Sequence, residues 1–506
     1  MRRFLPPQSR LLPALGGLLL VAASPPYNLY ILAWVGLVPL FMMLEKTRGT
    51  GFTEGLISGV VFNTGIVYWL AFNSGTYLGV AALTMVLAAA ILALAWGTAA
   101  WLFIKLRRII GFQAWFFVPV AWVTWEGWLT HLGELAFPWP LLALTQAGFN
   151  QLLQIMEFTG EAGVSFWVAA VNVVLFALLC AGRKPDRIFA AACIPILALI
   201  PVVANLHASK YMQQKRDVIN VLAVQANVAA HEKWIKGAQF SWEIYDSLMH
   251  SAEPGSFKIA VWPETALPIH LMHQSLFANR LTALTDELDA WVVTGASDYH
   301  RLKDEYKPLN GAFLSGPNRA IMEKCAKRHL VPFGERVPFQ FVTPALGKLN
   351  FGQAEFLPGL RQSVFEVESG GKSARFPVMI CYESIFPWIA RSAVNQGANL
   401  LVTISNDAWY GRSPEAEQIA ALSRMRCIEC RRSMIRTANT GISMLIDPLG
   451  REMKRTRQFE PAWIGGEVPL CDEMTFYVTY GEVFTGFAAA VFGIVLLFAA
   501  SKRETV

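Results

Sequence analysis

Long apolar runs limit this chain's fold more than any other feature. A helix that crosses a bilayer needs about 20 residues with few charges. Seven runs of this character precede residue 207: Leu11–Ala23, Tyr27–Leu44, Gly55–Phe72, Leu78–Ile104, Phe112–Leu132, Val164–Cys180 and Ile188–Leu206. An eighth, Val483–Ala500, lies near the C-terminal end, and none falls within 207–482. The chain therefore reads as a seven-span domain (1–206), a soluble domain (207–482), and a last span with a short tail (483–506). The first run also admits a second reading. Arg2, Arg3 and Arg10 precede it and Ala22-Ala23-Ser24-Pro25 closes it, as in a cleaved signal peptide.

Charge placement gives an orientation. Alternate loops carry Arg2, Arg3 and Arg10, then Lys46 and Arg48, then Lys105, Arg107 and Arg108, then Arg183, Lys184 and Arg187, and finally Lys502 and Arg503. The intervening short loops, 24–26, 73–77 and 133–163, carry no Lys or Arg. The positive-inside rule puts the basic loops in the cytoplasm, with both termini. Residues 207–482 are then expected on the outer face of the membrane.

Composition supports this reading. Hydrophobic residues make up 54% of the 506 and charged residues 16%, against about 25% charged in a typical soluble domain. That excludes a disordered or collagen-like chain. The net charge of +6 reflects the basic loops, so no nucleic-acid partner is expected. Seven cysteines are too few for a disulfide scaffold.

Strands alternating with helices are expected in 207–482, which implies an α/β layered fold. The expected strands are Asp217–Gln225, Phe257–Trp262, Trp291–Gly295, Gly311–Ser315, Pro377–Ile380, Ala398–Ile404 and Arg436–Ile446. The expected helices are Gly237–His250, Leu271–Asp289 and Pro414–Ile435. Polar residues gather just after strand ends at Glu264, at Cys381-Tyr382-Glu383 and at Asn406-Asp407. Sites in α/β sheets form at the carboxyl ends of strands.

Those positions, with Lys327, supply a carboxylate, an amine and a thiol, a set suited to acyl transfer. A free thiol is mostly protonated at neutral pH, so it needs a base or a nearby cation. Glu264 can take the proton. Lys327 can stabilise both the thiolate and an oxyanion, and the Tyr382 backbone N–H offers a second oxyanion donor.

Trp262-Pro263-Glu264, then Lys327 through His329-Leu330-Val331-Pro332-Phe333-Gly334-Glu335, then Cys381-Tyr382-Glu383, occur in that order. The series resembles the nitrilase, or carbon–nitrogen hydrolase, superfamily. The apolar runs on either side and the segments HLVPFGERVPF and SNDAWYG resemble the bacterial apolipoprotein N-acyltransferase family. The resemblance implies an αββα sandwich beside an eight-span α-helical membrane domain, in the inner membrane with the sandwich in the periplasm. It implies no cofactor and no metal. The implied reaction moves an acyl chain from a phospholipid, phosphatidylethanolamine being the expected donor, to the α-amino group of a diacylglyceryl apolipoprotein. Glu264 is then the general base, Lys327 the oxyanion stabiliser and Cys381 the nucleophile. Glu335, Tyr382 and Glu383 are supporting residues, and Trp234 and Asn310 are substrate-binding. A membrane-tethered amidase with water as acceptor is the alternative. A transporter is a third reading, but Glu126 is nearly alone as an ionisable residue inside the apolar runs.

Other features receive no role in this reading. Cys427-x-x-Cys430 has no second ligand pair near it, so it gives no zinc site. His131 and Glu134 fall on an outer loop. The segment 333–360, with Phe333, Phe339, Phe341, Phe351 and Phe356, suits either a lipid-facing rim or core filling.

Overall fold

The structure is a computed structural model that describes residues 11–302, 305–339 and 355–504. Arg2, Arg3 and Arg10, and Phe341 and Phe351 of the expected rim, lie outside the described residues.

Five helical stretches are long and apolar enough to cross a membrane: Phe52–Phe72, Leu78–Thr130, Glu161–Cys180, Lys184–Tyr211 and Val483–Lys502. The second holds two of the expected runs. Its first helix, Leu78–Ile110, ends where Gly111 takes a positive φ of 73°, a conformation glycine adopts without strain. A 3-10 segment leads from there into a second helix, Val118–Thr130. Leu11–Ala23 is a shorter apolar helix. The run Tyr27–Leu44 is broken into pieces, Tyr30–Leu32, Ala33–Gly36 and Val38–Lys46.

The rest of the chain is built on two main sheets packed face to face, with a separate two-stranded ribbon at 365–376. In chain order the strands are β1 (Val218–Gln225), β2 (Ile259–Val261), β3 (Leu267–His270), β4 (Trp291–Leu302), β5 (Glu305–Gly316), β6 (Arg319–Ala326), β7 (Phe365–Ser369) and β8 (Lys372–Phe376). They continue as β9 (Val378–Ile380), β10 (Leu400–Ser405), β11 (Ser433–Ala438), β12 (Met444–Ile446), β13 (Glu452–Arg455) and β14 (Ala462–Pro469). One sheet runs β14-β1-β2-β4-β5-β6, with β3 added beside β4. The other runs β13-β12-β11-β10-β9.

The period of two along each strand explains the layers. On β1, Ile219, Val221 and Ala223 meet Ile380, Val402, Ile404 and Ile435 of the second sheet. Leu222 and Val224 point the other way, onto the helices Glu232–His250 and Ser275–Leu288. On the far side Met379, Leu401 and Met434 pack on the helix Glu415–Cys430. The result is the αββα sandwich. That last helical layer is shared, because the same apolar cluster continues into Trp139, Leu152 and Val168 of the membrane part.

Polar contacts join the two parts as well. Trp69 and Trp139 both donate their indole N–H to Gln418 Oε1, at 3.1 and 2.6 Å. Arg426 pairs with Glu161 at 2.8 Å and Arg431 with Glu157 at 2.5 Å.

Two expected elements need correction. The helix expected over 414–435 stops at Cys430, because Arg431 turns left-handed with φ 49°. The strand expected over 436–446 is the antiparallel pair β11–β12, which the Asn439-Thr440-Gly441 turn separates. Its apolar flanks masked a turn that its small and polar residues favour. β4 and β5 are also longer than expected, since their polar halves form a hairpin at the sheet's end.

Candidate active site

Glu264 follows β2, Lys327 follows β6 and Cys381 follows β9. β2 and β6 belong to the first sheet and β9 to the second, so the site forms where strand ends of both sheets meet. Lys327 is buried and its Nζ lies 2.8 Å from Glu335 Oε1 and 3.5 Å from Glu264 Oε1. Asn310, on β5, donates its amide to Glu264 Oε1 at 2.6 Å and lies 3.5 Å from Glu335 Oε1. The Val331 N–H donates to Glu335 Oε2 at 2.9 Å. Glu335 is thus held at both oxygens, whereas the contacts to Glu264 fall on Oε1. Oε2 of Glu264 is the oxygen suited to receive a proton.

Cys381 has φ 53°. A non-glycine residue in this region is uncommon and is often found where function requires it. Three hydrogen bonds hold the turn that forces it. The Glu383 carboxylate accepts from the N–H groups of Ile380 at 2.8 Å, Arg328 at 2.7 Å and His329 at 3.2 Å. Glu383 therefore fastens the end of β9 to the segment that carries Lys327, and fixes the amine against the thiol. On the other side, the Ser384 hydroxyl donates to the Cys381 carbonyl at 2.7 Å, and Ser423 donates to Ser384 at 2.8 Å. The Tyr382 hydroxyl donates to the Ala136 carbonyl at 2.9 Å, so the loop after the helix Val118–Thr130 touches the residue beside the nucleophile. Glu126 steadies that loop, accepting from Trp122 Nε1 and from the Leu142 N–H, each at 2.8 Å.

The electrostatics match this geometry. Burial pushes the Cys381 thiol well above its ordinary value and Glu264 adds to the rise, while Lys327 opposes it. The resting sulfur is a thiol. Burial alone would lower Lys327, but Glu335 and Glu264 outweigh it and hold the ammonium well above its ordinary value. Burial raises Glu383 against its three backbone donors. A resting thiol beside a carboxylate and a fixed ammonium is suited to general-base attack on a carbonyl, with the ammonium meeting the charge that develops on oxygen.

Trp234 is 52% exposed on the first turn of the helix Glu232–His250. It stands at the rim, while its neighbour Lys233 reaches inward. Sequence reasoning missed Lys233, Ser405 and Arg436. Arg436 pairs with Asp407 at 3.1 Å, and Ser405 donates to the same carboxylate. The cluster Asn406-Asp407 at a strand end was their one visible signal. Beside Lys327, a cavity of about 70 Å³ is lined by Glu134, Arg328, His329, Arg336 and Pro358, among others. Phe333 is exposed, and the Phe339 N–H donates to Glu134 at 2.6 Å. Cys427 and Cys430 are buried in the core.

Residues 211–472 match the carbon–nitrogen hydrolase family model, which sets the class of the two-sheet domain. Residues 16–174 match the apolipoprotein N-acyltransferase N-terminal domain. Apolipoprotein N-acyltransferase from Geobacter metallireducens is 32% identical over 99% of this chain and 97% of its own. The protein of the same name from Chlorobaculum tepidum is 28% identical, over 97% of each. An amidase structure from Nesterenkonia sp. covers 52% of this chain and 92% of its own, at 16% identity and a TM-score of 0.39. The chain belongs to the apolipoprotein N-acyltransferase family, and with its apolar helices it is a membrane protein.

Proposed function

We propose that this chain transfers a fatty acyl group from a phospholipid to the α-amino group of an apolipoprotein's N-terminal diacylglyceryl cysteine, through a thioester on Cys381. The observation that carries the reading is Lys327 held between Glu264 and Glu335, on a domain whose outer layer shares its core with apolar membrane helices.

In the first step Glu264 takes the Cys381 proton as sulfur attacks the ester carbonyl. Lys327 and the Tyr382 backbone N–H meet the oxyanion, and Glu264 returns the proton to the departing lysophospholipid alkoxide. In the second step the acceptor amine attacks the thioester, Glu264 takes an amine proton, and the thiolate is released and reprotonated. This is a two-step scheme with a covalent intermediate. Asn310 and Glu335 orient the carboxylate and the amine, and the exposed Trp234 is the proposed contact for entering lipid. Arg328 and Arg336 at the small cavity suit a phosphodiester headgroup, with phosphatidylethanolamine as the donor proposed. The basic loops support a site on the periplasmic side of the inner membrane.

The test is a covalent trap. Protein in detergent receives phospholipid without acceptor, and its intact mass is taken before and after hydroxylamine. An acyl adduct that hydroxylamine removes, that Cys381→Ala lacks, and that a diacylglyceryl lipopeptide discharges is the expected result. An adduct that water discharges as fast as lipopeptide would point to an amidase-like hydrolase. No adduct would refute the scheme.

A further inference from the structure

Lys233 is a charged side chain with 3% exposure. A buried ammonium is costly unless something holds it. Its Nζ donates to the carbonyl of Thr265 at 3.0 Å. Thr265 follows Glu264 directly and has φ 50°, a conformation that is an outlier for a β-branched residue. The turn carrying Glu264 is thus strained and held in place from two sides. On the sheet side the Gly295 N–H donates to the Pro263 carbonyl at 3.2 Å. A Cβ on Gly295 would lie 2.5 Å from the Pro263 oxygen and 2.7 Å from Glu264 Cα, so β4 backs the turn without space to spare. On the helix side, among the described residues, the side chain that grips the turn is Lys233.

Lys233 also belongs to a distinct piece of backbone. The helix Glu232–His250 is kinked at Gly237, with φ 77° and ψ −175°, so residues 232–236 form a separate turn. The outer side of that turn carries Trp234 at 52% and Ile235 at 84% exposure. One short turn therefore has an apolar outer edge open to a lipid chain and an ammonium that reaches the carboxylate's own loop.

We infer that Lys233 is a positioning residue for Glu264, holding its turn in register and tying it to the exposed Trp234–Ile235 edge. The inference rests on Glu264 acting as the base. Burial lowers Lys233 to about 8 and Glu264 opposes the fall.

The test uses the full chain in detergent with Lys233→Met and Lys233→Gln. Thermal unfolding is followed alongside the rate of thioester formation over a range of phosphatidylethanolamine concentrations. Lys233→Met is expected to fold, to form the thioester at least 10-fold more slowly at saturating lipid, and to reach half its maximal rate at the same lipid concentration as the wild type. Lys233→Gln keeps a donor for the Thr265 carbonyl without the charge. It is expected to regain part of the maximal rate. Wild-type maximal rates in folded variants, or a loss confined to the dependence on lipid concentration, would overturn the inference. Failure of both variants to fold would also overturn it, by making Lys233 a residue of the core. A wild-type protein that forms no thioester would instead refute the proposed reaction.

Discussion

Two buried ionic clusters do opposite jobs in this molecule. At the site, one ammonium lies between two carboxylates at unequal distances, 2.8 Å to Glu335 and 3.5 Å to Glu264. At the joint between sandwich and membrane helices, the cations are guanidiniums. Arg431 contacts Glu157 at 2.5 Å and donates to Gln154 Oε1 at 2.6 Å. Arg426 lies against both Glu161 and Glu429. A guanidinium is a rigid fork that fixes geometry, whereas an ammonium is a compact charge on a flexible stem. The joint has one arrangement to hold. The site has to answer a charge that appears on sulfur, then on oxygen, and then leaves. The difference predicts that damage to the first cluster shows as lost chemistry and damage to the second as lost stability.

The sharpest break is Lys327→Met. It removes the proposed oxyanion stabiliser and leaves Glu264 and Glu335 without their shared cation. Thioester formation is expected to fall about 10³-fold, the scale of losing a main electrostatic contact in a transition state. Stopped reactions read by intact mass would measure it. A variant within 10-fold of wild type would remove Lys327 from the chemistry and erase the contrast with the joint.

Arg431→Met tests the other side. Removing one partner of a buried pair costs about 3–5 kcal/mol, and here it leaves Glu157 with His207 alone, at 3.0 Å. A much lower thermal midpoint is expected, with near-normal turnover per folded molecule. Turnover lost in step with Lys327→Met would show that the joint takes part in catalysis. Gln418→Leu is an uncharged cut at the same joint. It leaves the indole N–H groups of Trp69 and Trp139 unanswered. Each buried orphan costs about 1–3 kcal/mol, so the midpoint should fall by an amount comparable to that in Arg431→Met.

The same contrast explains what was legible in the sequence. Of the proposed trio, Glu264 and Cys381 were visible because each follows a short apolar strand, and Lys327 through the motif that it opens; strand–helix alternation implied an α/β layered fold, and the family resemblance implied its αββα form. Asn310 was harder to place, because its role depends on β5 lying across from β6 and on Lys327 bonding back to the Asn310 carbonyl at 2.8 Å. Lys233 was overlooked beside Trp234. Nothing in a helical pattern shows that a kink at Gly237 aims a lysine into the core. The ionic joint was equally hidden. Arg426 and Arg431 lie in the stretch expected as a helix over 414–435, and their pairing with Glu161 and Glu157 appears only in the fold.

The smallest expected effect lies between the two clusters, at His329. Its ring packs against Phe386 at 4.1 Å, and its Nε2 is buried without a hydrogen-bond partner among the described residues. Burial, with Lys327 and Arg328 nearby, lowers its pKa to about 4. A free histidine titrates near 6.5. The sign follows from linkage: the unfolded chain takes up this proton at higher pH than the folded one. The stability that neutral His329 contributes is therefore complete above about pH 6.5. It is lost as the pH falls toward about 4. His329→Phe keeps the ring and removes the titration. Its thermal midpoint should fall less than that of the wild type between pH 7 and pH 5, with little difference between the two proteins at pH 7. Parallel pH profiles would mean that His329 is protonated in the fold, and that the positive field beside Lys327 is weaker than this geometry implies.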